Sequence, residues 1–244
     1  MSKITGPLFK WFGSKWQASK YYPLPKHELI IEPFAGSAGY SLRHFGHRVA
    51  LAESNTNIFT LWSWLINEAT EPSIREIPTG VPVGTDIRTL GLGLGQSLLL
   101  KTWQRTNNVG NCWTVSPWGN SPGQWTKNTR ARVASEFHCI KHWELFPEGR
   151  SLISAASDTA TWFIDPPYEF NYRYGSSDMD YWEFGRDIQR LKGQVIACEA
   201  VCPKSGAIPN YLPFIDFRKT VTSRRKATNN HHSRELIYST PYEE

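Results

Sequence analysis

Asp165-Pro166-Pro167-Tyr168 carries the clearest chemistry in this chain. Thr161-Trp162-Phe163-Ile164 before it is a short apolar run of the kind that forms a buried strand, so the four residues make the turn at its end. An exocyclic base amine is a poor nucleophile because its lone pair is delocalised into the ring. Methylating it calls for acceptors that hold the amine hydrogens while the nitrogen moves towards tetrahedral geometry. The Asp165 carboxylate and the Pro166 carbonyl, set side by side by a rigid turn, suit that task. Pro166 and Pro167 fix φ and leave no competing donor. Tyr168 offers a ring on which a base taken out of a duplex can stack. The same residues also fit a plain turn that ends a strand.

A second group lies near the N-terminus, in Glu32-Pro33-Phe34-Ala35-Gly36-Ser37-Ala38-Gly39. Its glycines let the backbone approach a ligand closely at the start of a helix. Nucleotide and dinucleotide sites use similar turns, so the loop alone is weak evidence. Glu53, at the end of the next strand, sharpens it, because an acid there can bind a ribose diol. A solvated strand-end carboxylate is the plainer reading. Lys10-Trp11-Phe12-Gly13-Ser14-Lys15 by itself is a basic N-terminal arm.

The elements that must position these groups alternate. Leu29-Ile30-Ile31 predicts a first buried strand and Val49-Ala50-Leu51-Ala52 a second, with helical character at Tyr40 to Phe45 between them. Ile58, Leu61, Trp62, Leu65 and Ile66 fall at helical spacing behind a cap at Ser54 or Asn55. From about Glu71 to Pro147 the alternation breaks, and Asn107 to Thr129 is rich in turn residues and in Trp, which predicts an inserted subdomain or a set of long loops, closed by a helix near Arg130 to Leu145. Alternation returns with the strand into Asp165, a helix near Asp180 to Leu191, and the strand Gln194 to Cys198. Phe214 to Phe217 and Leu236 to Tyr238 are strand-like and flank a basic loop. The fold class is therefore α/β. The expected division is a catalytic domain from 1–68 and 148–244, with 69–147 inserted.

Composition sets the outer bounds. The chain has 244 residues, 40% hydrophobic and 20% charged, which suits one full-sized domain and excludes general disorder. A formal charge of +5 mildly favours a polyanionic partner. Eleven Trp are more than a core of this size needs, and stacking on bases is one use for the surplus. Cys112, Cys139, Cys198 and Cys202 form no C-x-x-C pair, which points to a reducing, cytoplasmic setting and away from zinc. Met1 to Pro7 has no apolar stretch of a secretory signal, and no run is long enough to span a membrane. His231 and His232 suggest a metal only faintly.

Taken together and in this order, the three motifs resemble the DNA adenine methylase (Dam) family, in which K-W-x-G-x-K is followed by E-P-F-x-G and, after an inserted recognition region, by D-P-P-Y. The resemblance covers 8–67 and 161–172, and more loosely 218–240. It implies a seven-stranded, mostly parallel, Rossmann-like sheet with one antiparallel strand near the edge. It also implies methyl transfer from S-adenosylmethionine (AdoMet) to adenine N6 in double-stranded DNA, without a metal. Trp11 and Lys15 would border the methionine end of the cofactor, and Phe34, Ala35, Gly36, Ser37 and Asp165 would line it. Glu53 would bind its ribose, Asp165 and the Pro166 carbonyl would hold the target amine, and Tyr168 would stack on the base. Lys10 would face DNA. The expected state is a monomer in solution, with a dimer on DNA as the alternative, in a prokaryotic or phage setting.

This sequence departs from the family pattern in three places. Ala38 stands where a second glycine is usual. The stretch before D-P-P-Y is short, leaving Asp158 as a weak candidate for a contact to the cofactor's adenine ring. The recognition region reads Gln104-Arg105-Thr106-Asn107-Asn108-Val109-Gly110-Asn111. Arg105, Asn107, Asn108, Lys127, Arg130 and Arg132 are candidates to read bases or hold phosphates, against a plain solvated surface. Arg224, Arg225 and Lys226 are placed near DNA by the same reasoning. Cytosine N4 methylation shares the chemistry, although Asp165 favours adenine. Cytosine carbon methylation lacks its Pro-Cys pair. An RNA substrate, or an inactive DNA-binding protein of the same fold, completes the alternatives.

Overall fold

The computed structural model describes residues 3–104, 112–154, 159–169, 179–202, 205–221 and 232–240; for 216–221 and 232–234 it describes the backbone. Its strands are β1 (Leu29–Glu32), β2 (Arg48–Ala52), β3 (Glu144–Phe146), β4 (Ala160–Ile164), β5 (Gly193–Ala200), β6 (Ile215–Val221) and β7 (His232–Ser239). They join in one sheet of order β3-β2-β1-β4-β5-β7-β6. The pairs from β3 to β5 are parallel, and β7 runs antiparallel to both β5 and β6. The architecture is a mostly parallel α/β sheet, compatible with a Rossmann-like fold.

The helices are α1 (Thr56–Ser63), α2 (Glu71–Arg75), α3 (Leu94–Gln104), α4 (Lys127–Glu136), α5 (Gly149–Ser154) and α6 (Tyr181–Gln189). Local chemistry starts several of them. Asn55 Oδ1 accepts the amides of Asn57 and Ile58 at 3.1 and 3.2 Å, which caps α1. Asp180 caps α6 through the Glu183 amide at 2.9 Å, and Thr70 and Ser73 form a capping box on α2.

Strand residues alternate between two cores, one on each face of the sheet. Ile30, Val49, Leu51, Phe163, Ile196 and Cys198 enter the larger core, with Ile58, Leu61, Leu98 to Leu100 and Val133 from the helices. Ile31, Ala50, Trp162, Ile164, Val195 and Ala197 enter the other, against Phe184 and Ile188 of α6 and Ile153 of α5.

Three expectations are corrected. The helix expected from Arg130 to Leu145 is α4, a 3-10 turn at Phe137–Ile140, and then β3. β3 pairs with β2, so the sheet reaches back into 69–147, and that segment is not wholly an insertion. A three-residue edge strand is too short to show a period, which is why the sequence hides it. Nor is the segment separate in packing, because its helices share the larger core with β1 and β2. Finally, Tyr40 to Phe45 folds as a 3-10 turn at Ser41–His44 rather than an α-helix. Almost all the rest of the crossing from β1 to β2 is turn and bend. Among the described residues, no helix is long and apolar enough to cross a membrane.

Candidate active site

β1 connects to β2 on one side, while its other neighbour, β4, belongs to the half of the sheet that continues to β5. In a doubly wound sheet, a ligand crevice opens beyond the carboxyl ends of the strands at this reversal. The Phe34–Gly39 loop follows β1 and Asp165 follows β4, so the topology alone brings both motifs to one place.

The N-terminal arm closes over them. Lys15 Nζ lies 2.5 and 2.6 Å from the two Asp165 carboxylate oxygens. The pair is largely out of solvent, with side-chain exposures of 10% and 19%. Burial works against the Lys15 charge, but Asp165, Cys198 and Glu235 together outweigh it and hold the ammonium above its ordinary pKa. The same Nζ sits 5.1 Å from the Tyr168 ring centroid. Burial, then the Asp165 charge, pushes the Tyr168 phenol well above its usual range.

Gly36 has φ +48°, and a Cβ there would stand 2.8 Å from Trp11 Cδ1. Trp11 thus packs directly on the glycine turn, and only glycine admits it. Gly39 is as tightly placed, since its Cβ would meet the Trp16 amide nitrogen at 2.4 Å. Ser37 Oγ donates to Ser14 Oγ at 2.7 Å, and Trp62 Nε1 donates to the Gly36 carbonyl at 2.8 Å. Ala38 has φ +47°, the one left-handed non-glycine among the described residues. A glycine at 38 would relieve that geometry.

Glu53 sits at the mouth of this turn. Its carboxylate accepts the Gly36 amide at 2.9 Å and the Asn55 amide at 2.7 Å. Burial raises its pKa and those amide bonds oppose the rise. Phe34 stands edge-on to Phe184 with ring centroids 5.7 Å apart, and Ala35 is buried with its amide on the Ala52 carbonyl at 2.9 Å.

Two further carboxylates, to which the sequence reading gave no role, are buried near the site. Glu32 is buried and accepts the Ser41 amide at 2.6 Å. Burial pushes its pKa up to about 8; the Ser41 bonds oppose this and the Asp165 charge reinforces it. Glu199, at the end of β5, is buried, and burial pushes its pKa up to about 7. Its place beside the Asp165 turn comes only from β4–β5 pairing, which no local pattern announces.

The expected DNA contacts divide. Lys127 is exposed at the start of α4. Arg132 is engaged internally: its guanidinium donates to the Gly6 and Pro7 carbonyls at 3.1 and 2.7 Å, and to Glu136 at 2.7 Å. It ties the N-terminal arm to α4. Arg130 donates to the Ile77 carbonyl at 3.0 Å. Lys10 lies over Trp103 at 5.2 Å and donates to Gln124 at 2.9 Å, so it faces the 69–147 segment. Arg105, Asn107, Asn108, Asp158, Arg224, Arg225 and Lys226 lie outside the described residues. Among those described, no three His, Cys, Asp or Glu side chains are placed to hold a metal. A groove of about 570 Å³ runs along α6 and 208–214, and none of the motif residues lines it.

No family model matches the chain, and no curated protein does. Among solved structures it is similar to a conserved hypothetical protein from Streptococcus pyogenes, with 11% identity, covering 91% of this chain and 89% of that one at a TM-score of 0.37. A likeness at that score carries no argument about function.

Proposed function

We propose that this chain is an AdoMet-dependent DNA methyltransferase acting on the N6 amine of an adenine held out of the duplex. The observation that carries the reading is the convergence of three separate motifs at one switch point: the 10–15 arm, the 34–39 turn and the Asp165–Tyr168 turn. A plain strand-end turn would explain Asp165 alone. It would not explain why a buried lysine and a glycine turn capped by a carboxylate meet it.

The residues fit the cofactor. Glu53 uses its oxygens to fix the turn and retains lone pairs for a ribose diol. Trp11 and Phe34 supply apolar walls, and Gly36 permits close backbone approach. When bound, AdoMet supplies an electrophilic methyl group at its sulfonium. Asp165 and the Pro166 carbonyl accept the hydrogens of the target amine and orient its lone pair. Each Asp165 oxygen gives one lone pair to Lys15 and retains another for the amine. Tyr168 stacks on the base, and the rigid Pro166-Pro167 turn holds the geometry before the substrate arrives. The amine proton leaves after transfer, so Asp165 does not need to be a strong base.

The test is incubation with AdoMet and unmethylated DNA, digestion to nucleosides and mass spectrometry. N6-methyladenine that disappears in Asp165→Ala is the expected result. N4-methylcytosine would keep the mechanism and move the base. No methylated nucleoside in DNA, but one in RNA, would move the substrate.

A further inference from the structure

We propose that Tyr181 and Glu199 are positioning residues that clamp the two peptide groups on either side of Tyr168 and so fix the Cα–Cβ direction from which its ring extends. The inference rests on the methyltransferase reading for its chemical purpose, although the clamp itself is geometric. Tyr181 Oη donates to the Pro167 carbonyl at 2.8 Å, which holds the peptide before Tyr168. Glu199 Oε2 accepts the Glu169 amide at 3.3 Å, which holds the peptide after it. Because a peptide unit is planar, fixing both flanking units fixes φ and ψ of Tyr168, and with them its Cα–Cβ direction.

The clamp is itself held. Tyr211 Oη donates to the same Glu199 oxygen at 2.7 Å, and the other oxygen accepts the Ala200 amide at 2.9 Å. Glu199 is fully buried. The Tyr181 and Tyr211 rings lie 5.3 Å apart, and Tyr211 also packs on Phe214 at 5.1 Å. α6 approaches this segment so closely that a Cβ on Gly185 would meet the Tyr211 carbonyl at 2.4 Å. Tyr181 opens α6 and Glu199 is the last residue but one of β5, so two rigid elements grip one turn. A ring that must meet a planar base gains from this, because a displacement of about 1 Å at a reacting centre can cost on the order of a hundredfold in rate.

The test uses the full chain with 3-fluorotyrosine at position 168, as wild type and as Tyr181→Phe, Glu199→Gln and Glu199→Ala. Tyr181→Phe keeps the ring packing and serves as the decisive variant should Glu199→Ala unfold. The expected 19F spectrum is one narrow resonance in wild type, and a shifted or doubled one in Tyr181→Phe and Glu199→Ala. Glu199→Gln, which keeps an acceptor oxygen, should lie between. With AdoMet and unmethylated DNA, kcat should fall about tenfold to a hundredfold in Tyr181→Phe, with KM for AdoMet within about twofold of wild type. An unchanged resonance in Tyr181→Phe, or an unchanged kcat in an active enzyme, overturns the proposal. A perturbed resonance with no methyl transfer even in wild type supports the clamp and removes the methyltransferase reading instead.

Discussion

Lys15 and Asp165, 150 residues apart in sequence, meet with the ammonium 2.5 and 2.6 Å from the two carboxylate oxygens. The contact ties the N-terminal arm to the end of β4 and sets the resting charge of the site. Removing Asp165 as Ala leaves a nearly buried ammonium without its carboxylate, which should cost about 3 kcal/mol of stability. Adding Lys15→Met removes that charge and should recover most of the loss in urea unfolding. A double variant no more stable than Asp165→Ala would show that the loss does not come from the stranded Lys15 charge.

Gly36→Ala forces a Cβ to 2.8 Å from Trp11 at φ +48°. The left-handed backbone alone costs about 1–2 kcal/mol, and Trp11 must move. We expect a lowered melting temperature and lost AdoMet binding by calorimetry. Gly46→Ala, where a Cβ would meet nothing within 4 Å, is the control and should leave both unchanged.

Ala38→Gly tests the left-handed backbone at φ +47°. Losing a buried methyl costs about 0.8 kcal/mol, while leaving the left-handed region with a Cβ gains about 1–2 kcal/mol. The variant should therefore be no less stable than wild type, where burial alone would predict a loss. A drop of more than about 1 kcal/mol would mean that packing outweighs strain here.

Glu32 gives a pH signature. Its folded pKa, raised to about 8, lies above its ordinary value of 4.5, so between these the folded state holds the proton more tightly than the unfolded. Its contribution is complete below 4.5 and is lost as pH rises through about 8. His44 opposes it at the acid end, because burial lowers its pKa to about 4. The difference between wild type and Glu32→Gln isolates the carboxyl: the wild type should lose more stability between pH 5 and 8 than the variant. Parallel curves would contradict the assignment.

Arg132 and Lys127 separate structure from DNA binding. Arg132→Ala should cost about 1–3 kcal/mol, because it frees the Gly6 and Pro7 carbonyls and Glu136. Below its melting temperature, DNA affinity should be preserved. Lys127→Ala, on the exposed start of α4, should leave stability unchanged and reduce the salt slope of DNA binding by about one charge. An equal loss of affinity in both variants would return Arg132 to the DNA surface.

Much of the site was legible in the sequence because its parts are local. Asp165-Pro166-Pro167-Tyr168 and the turn at Gly36 are runs of adjacent residues whose backbone demands show directly, and buried strands such as Thr161 to Ile164 show as apolar runs. What the tertiary structure decided is pairing across distance. The Lys15–Asp165 contact, the burial of Glu32, and the bond from the Glu169 amide to Glu199 depend on strand order, which no residue encodes alone. β3 was hidden because three edge residues carry no period, and Arg132 because an arginine's sequence context does not show which carbonyls its guanidinium will meet. Local backbone chemistry writes itself into short motifs, whereas the electrostatics of a buried site depends on which segments the sheet brings together.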